Sequence, residues 1–271
     1  MKTKSSFLLG LAVLTTGLVA LIPTRASAVN VSLELALVVD ESGSINNTEW
    51  ELQRDGYVNA FKNPAIQTAI IDSGGIAVTY IQFDADTNQG IGWTLLNDVA
   101  SINLFADAID GLARFGDRGT GVAGAIRFAA SLFGTEVGLT DNGFTSTRQI
   151  IDVSGDGREN QSGNQNNVIT DQVTDAAIAA GIDRVNGIVI SPNGEAGLLT
   201  FYQTQVQDGP DSFTLVADDF DDFEDAIDKK IFAEVTNQPP SVPEGGSSIV
   251  LGMVAIACLA GAKARRSGTR Q

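Results

Sequence analysis

Histidine is absent from all 271 residues, and Cys258 is the only cysteine. The first absence removes Ser-His-Asp triads, Cys-His nucleophiles and histidine-ligated zinc together. The second leaves residues 29–237 without any internal disulfide, so their stability has to come from packing. Basic residues are scarce, 17 against 33 acidic ones, and 7 of the 17 lie in the two ends of the chain. Residues 29–237 carry 10 basic and 32 acidic side chains, a net charge of −22. A surface of that sign repels phosphate backbones, which excludes nucleic acid as a partner. It attracts divalent cations and basic surfaces, and it keeps an exported protein soluble.

Both ends read as processing segments. Lys2 and Lys4, an apolar stretch from Phe7 to Ile22, and Ala-Ser-Ala before Val29 follow the layout of a secretory signal peptide over residues 1–28. The alternative is a membrane anchor that stays attached. At the other end Ile249–Ala262 is an apolar run of only 14 residues, short of the about 20 a spanning helix needs. Lys263, Arg265 and Arg266 follow it, and basic residues favour the cytoplasmic side. The linker and turn (238–246) with this short hydrophobic helix and basic end (247–271) resemble the PEP-CTERM sorting tail that exosortases process. Val242-Pro243-Glu244-Gly245-Gly246 lacks the second proline of that family's consensus. A plain C-terminal membrane anchor is the competing reading, and either one places the folded part outside the cytoplasm.

Between the ends, apolar β-branched runs alternate with helical periodicity. Leu33–Val39, Ile76–Phe83, Gln149–Val153, Val185–Ile190 and Phe213–Val216 read as strands, and Gly92–Leu96 as a short edge strand. Residues 48–62, 98–112, 120–133, 167–180, 195–206 and the stretch carrying Phe220, Phe223, Ile227 and Ile231 read as helices. The alternation predicts an α/β fold. A single doubly wound, mostly parallel sheet is flanked by helices, with one short antiparallel edge strand. In such sheets the site lies beyond the carboxyl ends of the strands.

One of those ends reads DESGSINNTEWE, residues 40–51. As an EF-hand loop it would place Asp40, Ser42, Ser44 and Glu51 at positions 1, 3, 5 and 12. However, Ile45 stands where the sharp turn needs glycine, and a strand precedes the motif where an EF-hand has a helix. Asp40-x-Ser42-x-Ser44 at a strand end resembles instead the metal-ion-dependent adhesion site (MIDAS) of von Willebrand factor type A (vWA) domains. That family completes the site with a threonine and an aspartate from two further loops. Here Arg118–Ile126 aligns with its G-G-T-x-T-G-x-A-L segment, which puts the metal threonine at Thr120. Ile150–Gly157 ends a strand in Asp-Gly, which puts the aspartate at Asp156. Asp152, inside that strand, is the alternative and reads as a supporting or structural residue. Val122 replaces the family's second threonine, and Asp117 and Arg118 add charges beside the site.

The resemblance implies a divalent cation, Mg²⁺ first with Mn²⁺ or Ca²⁺ as alternatives, held by Asp40, Ser42, Ser44, Thr120 and Asp156. It implies a binding or adhesion module that offers the cation to a Glu or Asp carboxylate of a protein partner, not an enzyme. A metal-stabilised component of a biofilm or envelope is the alternative. A metal-assisted hydrolase is the more remote one, since no histidine or free thiol stands near the motif. Gly209–Ala217 and the last helix resemble the bacterial vWA-like family DUF1194, over about 200 residues. The acidic run 218–228 reads as the solvated face of an amphipathic helix, and Asp84 and Asp86 as an acidic turn rather than a second cation site. Trp50 and Trp93 read as packing residues, and residues 191–197 as a turn without chemistry.

Overall fold

The computed structural model describes residues 27–139, 141–161, 168–191, 196–238 and 240. Nearly all of the expected signal peptide and the sorting tail from residue 241 onward lie outside these residues. Among the described residues no helix is long and apolar enough to cross a membrane.

The elements run β1 (Val29–Asn30), β2 (Glu34–Asp40), α1 (Asn47–Lys62), α2 (Pro64–Asp72), β3 (Ile76–Phe83), β4 (Thr87–Leu96), α3 (Val99–Asp110), α4 (Val122–Ala130), β5 (Phe144–Thr145), β6 (Gln149–Gly155), α5 (Val168–Ala180), β7 (Arg184–Ile190), α6 (Ala196–Phe201), β8 (Thr214–Ala217) and α7 (Phe223–Thr236). Six strands form one sheet in the order β4-β3-β2-β6-β7-β8. All neighbours are parallel except β3 and β4. β1 and β5 make a separate two-residue parallel pair.

Alternation along β2 explains why the sheet is covered on both faces. Leu35, Leu37 and Val39 pack with Tyr57, Phe61, Phe105, Phe223 and Ile227 from α1, α3 and α7. Ala36 and Val38, pointing the other way, pack with Ile126, Val173 and Tyr202 on the α4–α5 side. Strands buried on both faces read as nearly continuous apolar runs, and β2 is apolar from Leu35 to Val39.

Three features differ from the sequence expectation. The antiparallel edge strand is ten residues long, not the short piece Gly92–Leu96. Its first half is polar and glycine-containing because it lies at the sheet margin, and its pairing with β3 shifts register near Tyr80. Helix α2 was unforeseen: Asn63 ends α1, and its side chain then accepts from Ala65 N at 2.9 Å to start α2, with Pro64 in the first turn. Finally, α7 begins only at Phe223, so Asp218–Asp222 form a turn and not the helix's solvated face. Phe220 and Phe223 are nonetheless buried.

Candidate functional site

The sheet order reverses around β2, between β3 on one side and β6 on the other. The carboxyl ends of β2 and β6 therefore meet a crevice, the place where open α/β sheets put their ligands. Asp40 is the last residue of β2, and Asp156 follows the last residue of β6. Thr120 lies just before α4.

All five residues expected from the sequence converge there. Asp40 Oδ1 accepts from Ser42 N at 2.8 Å. Thr120 Oγ1 donates to Ser42 Oγ at 3.0 Å, and the Ser42 and Ser44 hydroxyls are 3.3 Å apart. Ser44 Oγ donates to Asp156 Oδ1 at 2.6 Å. The cluster grades from interior to surface: Asp40, Ser42 and Thr120 are buried, Asp156 is half-buried and Ser44 is exposed. Its inner end is unsatisfied, because Asp40 Oδ2 is buried and accepts no hydrogen bond. Burial first, and the Asp156 charge second, push the Asp40 carboxyl up to about 7.

Several residues that sequence reasoning did not single out build this pocket. Gly155 leaves the space beside Asp40: a Cβ there would lie 2.7 Å from Asp40 Oδ2 and 2.9 Å from Tyr202 Oη. The Tyr202 hydroxyl is itself buried without a partner, and burial together with Asp40 and Asp156 pushes its phenol up. Arg114 pins the 40–45 loop by donating to the carbonyls of Glu41 at 3.2 Å, Ser42 at 3.1 Å and Ile45 at 2.6 Å. Glu41 turns inward and accepts from Trp50 Nε1, Gln82 Nε2 and Phe115 N. The loop after Asp156 is clamped on α4: Glu159 Oε2 accepts from Ala123 N at 2.7 Å, and Asn160 Oδ1 from Thr120 N at 2.9 Å. No side chain caps α4 from its own N-cap, so Glu159 serves an orphan donor of its first turn from a distance in sequence. The run Glu-Asn-Gln after Asp-Gly was the available signal.

The charged and aromatic residues around the cluster have separate roles. Asp84 is buried and bound by Arg118 through two bonds, Nε to Oδ2 at 2.9 Å and an η nitrogen to Oδ1 at 2.8 Å. The same guanidinium reaches Asp86 at 2.8 Å. The two carboxylates of this acidic turn are thus paired with a cationic side chain of the same chain. Asp152 is away from the cluster, on the opposite face of the sheet, where it touches Lys230 of α7. Both side chains are fully buried. Val122 is in the core. Trp93 donates to Leu132 O and stacks edge-on against Phe133, and Trp50 carries Arg54 over its ring, so both tryptophans pack.

No group of three or more acidic, histidine or cysteine side chains is placed to hold a metal among the described residues. The donor set is instead two carboxylates and three hydroxyls. It fits a hard cation: the oxygens are of the right kind, and one of them is buried with nothing else to bind.

The fold is that of a vWA-like domain. It is similar to a von Willebrand factor type A protein from Catenulispora acidiphila (TM-score 0.52, 10% identity, 76% of this chain and 43% of that one). It is similar to the pilus adhesin SpaC of Lactobacillus rhamnosus GG (TM-score 0.55, 16% identity, 76% and 31%). A third similar structure is proximal thread matrix protein 1 of the mussel byssus with a zinc-occupied MIDAS motif (TM-score 0.51, 15% identity, 78% and 50%). The chain spans a third to a half of the length of these proteins. The family described as a protein of unknown function, DUF1194, matches residues 30–239, and the chain belongs to it. No curated protein matches.

Proposed function

We propose that Asp40, Ser42, Ser44, Thr120 and Asp156 form a MIDAS that holds a divalent cation, Mg²⁺ first and Mn²⁺ or Ca²⁺ next. The protein then acts as an exported adhesion module that grips a Glu or Asp side chain of a protein partner. The observation that carries this reading is the buried, unpartnered Asp40 Oδ2 at the base of a cluster of oxygen donors that opens to solvent. Three of the five donors are neutral hydroxyls and only two are carboxylates. A doubly charged ion there retains affinity for one more carboxylate, which the partner supplies. The exposed Ser44 end leaves room for that approach. A zinc-occupied MIDAS in one neighbour and the adhesin role named for another support the reading by analogy of fold.

The same proposal makes residues 1–28 a removed signal peptide and 29–237 the working domain. Residues 238–271 become a linker, sorting motif and short helix, processed by an exosortase-type enzyme or touching the membrane if retained. Binding rather than catalysis is the reading favoured, because the carboxylates of the cluster are the groups that the cation would engage and the Tyr202 phenol beside them is pushed up by burial.

Thermal unfolding of the full chain in EDTA, Mg²⁺, Mn²⁺ and Ca²⁺, beside Asp40→Ala, tests the site. A ligand at about 100 times its Kd stabilises by about 2.7 kcal/mol, which is on the order of 5–10 °C for a domain of this size. The rise should be absent from Asp40→Ala. Identical melting of both proteins in every buffer would sink the metal site. Carboxylate capture is then tested with glutamate-rich peptides, whose binding should vanish in EDTA.

A further inference from the structure

The opposite face of the sheet holds a second polar cluster that the cation site does not use. Asp152 of β6 and Asn186 of β7 are register neighbours. From α7, Lys230 and Glu234 reach down onto them, one turn apart. Lys230 Nζ donates to Glu234 Oε1 at 3.0 Å, and Asn186 Nδ2 donates to the same oxygen at 2.8 Å. All four side chains are buried. The Phe213 ring lies 5.9 Å from the lysine nitrogen, and the surrounding residues belong to the larger hydrophobic cluster.

Two features set this apart from an ordinary buried ion pair. Lys230 Nζ touches the Asp152 carboxyl, yet neither Asp152 oxygen accepts a properly directed hydrogen bond. Two carboxylates also share a single ammonium, so the fully ionised cluster carries an uncompensated negative charge in a dry core. Both make the ionic form costly. Asn186 is not the better target for the amine, because its amide is already committed to Glu234 and its carbonyl to Phe213 N at 3.1 Å.

We propose that Lys230 and Asp152 are joined by an intramolecular isopeptide bond. The Lys230 ammonium passes a proton to the Asp152 carboxylate that it touches, and the lone pair of the resulting amine attacks Cγ of the protonated carboxyl. Glu234 takes the proton that the nitrogen sheds and delivers it to the departing hydroxyl. The N–C bond forms, the C–O bond breaks, and one water molecule leaves; no oxidant or other reactant is needed. The buried pair becomes a neutral amide, and exclusion of water from the core opposes its hydrolysis. Holding nucleophile, carboxyl and proton acceptor in contact supplies the effective concentration that the reaction lacks in water. Burial, with Glu234 beside it, pushes Asp152 up to about 7, so the carboxyl retains its proton far more readily than a solvated one and is the form an amine acylates.

Denaturing intact-mass measurement and tryptic mapping of the full chain test this without requiring any variant to fold. The expected protein is one water lighter than its own termini dictate, with the 149–158 peptide covalently joined to the peptide that begins at Lys230. Lys230→Arg, whose guanidinium is not an acylable amine, should show the full mass. Glu234→Gln keeps an acceptor for Asn186 and Lys230 but no base, and its crosslinked fraction should fall at least tenfold. A full-mass wild-type chain overturns the bond. So does a water loss confined to the linear 149–158 peptide, which would be a succinimide at Asp156-Gly157. Unchanged crosslinking in Glu234→Gln overturns the proton transfer assigned to Glu234. A metal response in a full-mass protein would leave the cation site standing, so the two proposals fail separately.

Discussion

At the scale of single residues, Asp84 shows how one carboxylate replaces an ion with an internal cation. Burial alone would raise its pKa, but the Arg118 guanidinium and the backbone N–H groups of Asp86 and Arg118 outweigh burial and hold it below the ordinary carboxylate value. A lowered native pKa contributes stability that is fully present above the unfolded value of about 3.9 and is lost as pH falls through the lower native one. Asp84→Asn should therefore cost on the order of 2–3 kcal/mol at pH 7. The gap from wild type, read by urea unfolding from pH 7 down to pH 2, should close only at the acid end. Gly155 makes the complementary point by having no side chain. Gly155→Ala puts a methyl within 3.0 Å of both Asp40 Oδ2 and Tyr202 Oη. It should abolish the Mg²⁺-dependent rise in Tm while the protein still melts cooperatively; an undiminished rise would show that the space beside Asp40 is not needed.

At the scale of elements, what periodicity could see and what it could not divide cleanly. Val185–Ile190 and Ile76–Phe83 are mostly apolar, interrupted by Asn186, Thr79 and Gln82, because both faces are covered, and their bounds were legible almost to the residue. The three loops of the candidate site were legible too, since hydroxyl and carboxylate residues recur there at strand ends in fixed order. The polar half of β4 was invisible because a marginal strand need not be apolar. Tyr202 escaped notice because a tyrosine on a helix reads as core, and only the folded chain brings its hydroxyl to the space beside Asp40. Lys230 and Glu234 carried no signal in the sequence, because nothing in their spacing reveals that they face the sheet. Helix α2 had a signal, Asn63-Pro64, that periodicity over nine residues was too short to amplify. Asn63 also donates to Asp228 of α7 at 2.7 Å. Asn63→Ala removes the cap and that tie together, and it should lower unfolding free energy by about 1–2 kcal/mol. Guanidinium melts would register this as a lower midpoint with an unchanged slope.

At the scale of the whole molecule, charge dominates. Residues 29–237 carry −22, so the folded state repels itself over long range. Raising NaCl from about 0.01 M to about 0.1 M shortens the screening length from about 30 Å to about 10 Å. In EDTA, where no divalent ion contributes, Tm should rise over that interval. A falling Tm would mean that attractive pairs such as Arg118 with Asp84 outweigh the net repulsion.

The position of α7 has a mechanical meaning. Its last turn is fastened at the amino-terminal edge of the sheet: Arg148 donates to the carbonyls of Glu234 and Val235, and Arg184 to Asn237. The candidate cation cluster is at the opposite edge. A tug between a partner held at one edge and a tether leaving from the other would run along the strands. It would load the ladders of β2, β6 and β7 in shear, many bonds at once, instead of peeling them one by one. The first thing to slip would be α7 sliding over the sheet, and Lys230 is where it is riveted.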